Sequence, residues 1–115
     1  MIVTTKEELE KAQKSNESEI VIEGELAQKV KNGRKIITVG KLTLITLVGA
    51  IGAIPFTGGV SVAAFASVAA LTGLEVALIT AVAFVGVGLL TSIWKEYEEV
   101  EFSYNPLKLK LKRKS

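Results

Sequence analysis

Apolar and polar positions divide this chain into three blocks. From Ile36 to Trp94 almost every residue is apolar, and only Lys41 and Glu75 are ionisable. On both sides of that stretch Lys and Glu are dense. A bilayer has a hydrocarbon core about 30 Å thick, which takes roughly 20 apolar helical residues to cross. The middle block is long enough for two crossings, with Ile54-Pro55-Phe56-Thr57-Gly58-Gly59 as the turn. Ile36 to Pro55 reads as the first crossing and Leu74 to Trp94 as the second. Val60 to Leu71 is either re-entrant or an extension of the second helix. The expected fold is a membrane protein: an α-helical transmembrane hairpin plus a small α+β cytoplasmic domain formed by both chain ends. Its parts are residues 1–35, 36–94 and 95–115.

The polar ends carry short-period patterns. Ile2-Val3-Thr4 predicts a strand. Thr5-Lys6-Glu7-Glu8 has capping-box spacing, with Thr5 as N-cap and Glu8 reaching back to its amide. The helix runs to Lys14, with Leu9 and Ala12 inward. Glu19-Ile20-Val21-Ile22-Glu23 predicts a second strand. Leu26 and Val30 space a second helix, closed by Asn32-Gly33. Strand–helix–strand connections of this length favour parallel pairing. After the apolar block, Val100, Phe102 and Tyr104 alternate with Glu99, Glu101 and Ser103. Beyond Asn105-Pro106, Leu107, Leu109 and Leu111 alternate with Lys108, Lys110 and Lys112. Two period-two runs around a turn predict a β-hairpin whose apolar face covers the amino-terminal unit. The other reading of Leu107 to Lys114 is a basic tail on a membrane surface or nucleic acid. Strict Leu/Lys alternation favours the strand, and nucleic acid is not an expected partner.

A domain shared by both ends requires both ends on one side of the membrane. The charges point the same way: Arg34, Lys35 and Lys41 flank the first crossing and Lys95 follows the second. The positive-inside rule makes both flanks cytoplasmic, at a bacterial inner membrane. Lys35, Lys41, Trp94 and Tyr97 are the expected membrane-interface residues. Small residues recur at helical spacing, at Gly49 and Ala53 and at Ala69, Gly73, Ala77 and Ala81. In lipid such faces admit close helix approach. They exceed what one hairpin can bury, so homo-oligomerisation is expected.

Glu75 is a carboxylate inside an apolar segment, which is costly unless it faces water or a partner. It sits either wet at the far interface after the Thr72-Gly73 break or in a ring lining a cation-favouring pore. Thr43 and Thr46 could face the same water or hydrogen-bond a neighbouring helix. The chain has no Cys and no His, and its formal net charge is +2. There is then no thiol nucleophile and no imidazole, which removes the commonest general base and the commonest metal ligand. An enzyme is not expected, and neither is a cofactor or metal.

The segments Val3-Thr4-Thr5-Lys6-Glu7-Glu8-Leu9, Glu19 to Ala27 and Thr72-Gly73-Leu74-Glu75 resemble small, largely uncharacterised bacterial membrane proteins. Two-pass proteins of this size with a cytoplasmic domain include membrane effectors of phage defence and toxins. The resemblance implies a bacterial membrane effector and assigns no role to any residue. Two functions follow. One is a homo-oligomeric pore or ion channel with a cytoplasmic sensing or gating domain. The other is a membrane-anchored scaffold or adaptor that tethers an interaction domain. Expected partners are the lipid bilayer, further copies of the chain and a cytoplasmic partner or ligand of open identity.

Overall fold

A computed structural model describes residues 1–52 and 62–114. In chain order the elements are β1 (Ile2–Val3), α1 (Lys6–Lys14), β2 (Glu19–Glu23), α2 (Glu25–Asn32) and a 3-10 helix (Gly33–Thr38). These are followed by α3 (Lys41–Gly52), α4 (Val62–Thr72), α5 (Val76–Val85), α6 (Val87–Glu96), β3 (Tyr97–Tyr104) and β4 (Leu107–Arg113). Ala53 and the turn Ile54 to Gly59 lie outside the described residues.

The start of α1 follows from side-chain capping. Thr5 Oγ1 accepts from the Glu8 amide at 3.2 Å. The Glu8 carboxylate reaches back one residue further than the spacing implies. Its Oε1 accepts from the Thr4 amide at 3.2 Å and from the Thr4 and Thr5 hydroxyls at 3.0 and 3.2 Å. These bonds, the Thr4 amide first, hold the Glu8 carboxyl below the usual glutamate range. A depressed folded pKa gives stability that is complete above the ordinary glutamate value and lost as pH falls through the folded one. Hydrogen-exchange protection at the α1 amino terminus should therefore drop on acidification below the usual glutamate range. Glu8→Gln should remove that acid-dependent step, and an unchanged step in the variant would refute the assignment to Glu8.

Both chain ends build one four-stranded sheet in the order β1-β2-β4-β3. β1 and β2 are parallel, and β4 runs antiparallel to β2 and to β3. The β3–β4 hairpin does not lie face-on over the amino-terminal unit. It extends that unit's sheet, because β4 satisfies its backbone groups on both sides. Ile20 faces Leu111, and Ile22 and Phe102 face Leu109. On the opposite face the lysines of β4 lie between two acidic strands. Lys108 and Lys110 reach Glu23 and Glu19 at 3.8 and 3.0 Å, while Glu98 and Glu101 of β3 sit opposite Lys112 and Lys110. The strict alternation read along β3 is corrected by a bulge between Glu99 and Glu101. The extra residue resets the period-two phase. Tyr97 is buried, Phe102 is half-buried, and Val100 and Tyr104 are exposed.

Beneath the sheet pack α1, α2, α5 and α6, through Leu9, Leu26, Val30, Ile79, Val82, Leu90 and Ile93. The second apolar segment is therefore not one continuous helix. Gly86 has φ +100° and ends α5, so α5 and α6 are separate ten-residue helices. A side chain rarely adopts that backbone, whereas glycine does so freely. Ile36, read as the start of the first crossing, is buried in the 3-10 helix, and α3 begins only at Lys41. A second break lies at Gly73, φ +75°. There α4 and α5 meet at 111°. Among the described residues no single helix is long and apolar enough to cross a membrane, although that bent pair would suffice by length and composition.

The helices α3 and α4 pack on each other and α4 on α5. They contribute only Leu47 and Val68 to the buried core among the described residues. Helix α3 has no charge after Lys41, and its Leu42, Ile45 and Val48 are 81%, 59% and 49% exposed. On α4, Leu71 is 66% exposed.

Candidate functional site

Where α3 begins and α4 ends, a polar collar surrounds the base of this apolar pair. It forms a cleft of about 320 Å³ lined by Lys35, Thr38, Thr43, Thr72, Gly73 and Glu75, among others. Lys35 Nζ and Glu75 Oε1 are 2.7 Å apart across it, and both side chains are about two-thirds exposed. The 3-10 helix that follows α2 places Lys35. The Gly73 break places Glu75 at the N-cap position of α5, where a negative charge meets the positive end of the helix. Thr38 Oγ1 donates to the Lys35 carbonyl at 2.7 Å. Thr72 Oγ1 donates to the Val68 carbonyl at 2.8 Å and accepts from the Leu74 amide at 3.3 Å.

Glu75 therefore does not sit at the opposite end of the hairpin from Lys35. The two share one end, because the chain leaves along α3 and comes back along α4. Thr43 is half-buried in the collar. Thr46 is exposed, and its hydroxyl donates to the Leu42 carbonyl at 2.9 Å within its own helix. The small-residue stripe is not one helix face. The bend at Gly73 separates Ala69 on α4 from Ala77 and Ala81 on α5, and Ala81 is buried while Ala77 is exposed. Gly49 and Gly73 are exposed, and a Cβ added at either would meet nothing within 4 Å among the described residues.

Lys41 is exposed at the start of α3, beside the collar. Trp94 and Tyr97 are not interfacial in this fold. They are buried, with Trp94 Nε1 donating to the Val30 carbonyl at 3.0 Å and the Tyr97 hydroxyl to the Glu17 carbonyl at 2.6 Å. Each aromatic finds its polar partner on the amino-terminal unit, which clamps the two chain ends together.

Two ionic contacts across the head escaped sequence reasoning. Lys31 binds Glu99, and Arg34 lies over the Trp94 ring at 5.8 Å from its centroid. One signal was available: between Glu25 and Glu75 the chain has cations but no acidic residue. Chemically, the collar is an exposed ionic latch, and such a pair contributes about 0–1 kcal/mol. Its value is positional, since it joins the two ends of the apolar pair to the head. Among the described residues no cluster of acidic side chains is arranged to hold a metal ion.

The fold and collar define a class: a small α+β head with an apolar helix pair, α3 and α4, packed on it through α5. The chain belongs to the family described as Uncharacterised protein PM1101, whose model matches residues 2–114 and so takes in head, collar and helix pair together. It is similar to the Uncharacterized protein PM1101 of Pasteurella multocida (strain Pm70), at 31% identity over 104 residues. That match covers 84% of this chain and 82% of the relative. The bacterial part of the resemblance read from the sequence is thereby shown. No solved structure matches the chain.

Proposed function

We propose that the protein is a membrane-anchored scaffold: α3 and α4 enter the bilayer and hold the α+β head at its surface. The observation that carries this reading is the exposure of large apolar side chains on α3, a helix with no charge after its first residue. Apolar helix surface belongs in a protein core or in lipid, and α3 leaves Leu42, Ile45 and Val48 uncovered by its own fold. The charges support the same geometry. From Leu42 to Leu74 there is no ionisable residue, and Lys41 and Glu75 stand at the two ends of that stretch. The twelve residues of α3 reach roughly 18 Å at 1.5 Å per residue, somewhat more than one leaflet of a 30 Å core. Entry and return from one side leave both chain ends on the same face, the cytoplasmic one in this reading.

The pore reading has one observation in its favour. Thr43 and Glu75 line the same cleft, so a ring of copies packed through the open faces at Gly49 and Gly73 would gather polar groups at a mouth. In that reading the chain would be a membrane effector of phage-defence or toxin type. Flotation with dye-loaded vesicles separates the two readings. A scaffold should float with the vesicles through an alkaline wash and release no dye. Release that falls with Glu75→Gln would move the assignment to the pore. Failure to float would remove both.

A further inference from the structure

We propose that the head selects anionic phospholipid through a cationic lip: the exposed Arg34 and Lys41 of the segment that leads from α2 into α3. The proposal rests on the membrane-anchor reading and names the lipid that the anchor prefers. Between Glu25 and Glu75 the chain carries Lys29, Lys31, Arg34, Lys35 and Lys41 with no acidic residue. The fold uses two of these cations internally: Lys31 binds Glu99 and Lys35 binds Glu75. Arg34 and Lys41 are exposed and join no ion pair among the described residues.

Their neighbours are apolar in the way a head-group boundary requires. Ile37, between them in the chain, is 44% exposed, and Leu42, directly after Lys41, is 81% exposed. Aliphatic side chains sink below the phosphate level while cations stay at it. Arg34 lies over the ring of Trp94, whose indole is itself buried and hydrogen-bonded to Val30. Its charge is then available to a phosphodiester. Lys114 adds a third cation, lining the cleft that Arg34 and Ile37 share, with Nζ 3.4 Å from the Trp94 carbonyl.

The same cleft also contains Glu98 and Glu99. Glu99 is neutralised by Lys31, and Glu98 stands opposite Lys112 in the sheet. The lip therefore keeps a positive surplus. The lysines of the sheet face are a poorer alternative, because Lys108 and Lys110 already hold Glu23 and Glu19. A cation at an anionic membrane surface strengthens binding about fivefold, and two independent ones about 25-fold.

The test compares vesicles of phosphatidylcholine alone with vesicles containing added phosphatidylglycerol, at low salt. The full-length chain should bind the anionic vesicles more tightly. The double variant Arg34→Gln/Lys41→Gln should lose about 25-fold on anionic vesicles and nothing on neutral ones. Arg34→Lys should keep most of the preference. The control Lys11→Gln/Lys14→Gln on α1 removes as much charge at a distance from the lip and should change binding less than twofold. If the double variant disturbs Trp94 fluorescence, Lys41→Gln alone should still cost about fivefold. Equal wild-type binding to both vesicles, or an equal loss in the α1 control, overturns this proposal and leaves the anchor standing. Binding to neither vesicle removes the anchor reading itself.

Discussion

Ile45→Asp should detach the chain from vesicles while leaving its head folded. Ile45 lies in the middle of α3 and is 59% exposed, so its replacement breaks little inside the fold. In the bilayer the same change is severe. An aspartate at the centre of an inserted helix costs about 2.5–3.5 kcal/mol, and the lost isoleucine adds about half a kcal/mol. The sum, about 3–4 kcal/mol, corresponds to a partition some 10²–10³-fold weaker. Flotation reads the partition, and thermal melting by circular dichroism reads the fold. Ile45→Leu should change neither. An Ile45→Asp variant that still floats with an unaltered melting curve would mean that α3 does not enter lipid.

Leu109→Ala should be the most damaging truncation in the head. Leu109 is fully buried on β4, the strand that joins the two chain ends, between Ile22 of β2 and Phe102 of β3. Removing a buried leucine side chain costs about 2–5 kcal/mol, depending on how far the cavity collapses. That is a large part of the 5–15 kcal/mol typical of a domain. Its neighbour Lys110 faces the other way and pairs with Glu19 at 3.0 Å, both side chains being 40–49% exposed. Lys110→Gln should stay within about 0.5 kcal/mol. Urea unfolding in mild detergent, followed by Trp94 fluorescence, measures both. Equal losses would mean that β4 is displaced by one residue, since a one-residue slip exchanges the faces.

Much of the head was legible because its signals are local. The Thr5–Glu8 spacing marks the start of α1, and Leu/Lys alternation marks β4 with its buried and exposed faces. The charge match of β3 with β4 was legible for the same reason. The acidic strand on the other side, β2, was not matched to β4 in advance, because nothing local states which edge a hairpin joins. The bulge at Val100 was hidden too. It changes the phase of an alternation without changing its composition.

The apolar block was harder to read, for a physical reason. Hydrophobicity says that a segment avoids water and says nothing about what covers it. Leu74 to Trp94 has the length and composition of one crossing. A glycine inside an apolar run is equally compatible with helix packing and with a break, and at Gly73 and Gly86 the backbone takes positive φ and breaks. Trp94 and Tyr97 then go into the head, where the Val30 and Glu17 carbonyls wait for them. An aromatic with one polar atom satisfies a membrane interface and a domain core alike.

By itself the sequence determined the segregation of charge, the short strands and capped helix of the ends, the lack of thiol and imidazole chemistry, and the need of residues 42–74 for an apolar environment. Only the tertiary structure decided that β4 is the strand between the two chain ends, that the apolar block is broken into the helices α3, α4, α5 and α6, of which α5 and α6 supply most of its buried residues among those described, and that Lys35 meets Glu75 at one collar. Those decisions depend on contacts between residues far apart in the chain. Glu75 lies 40 positions from Lys35, and Trp94 lies 64 from Val30. A periodicity of two or 3.6 residues carries no information over such a distance.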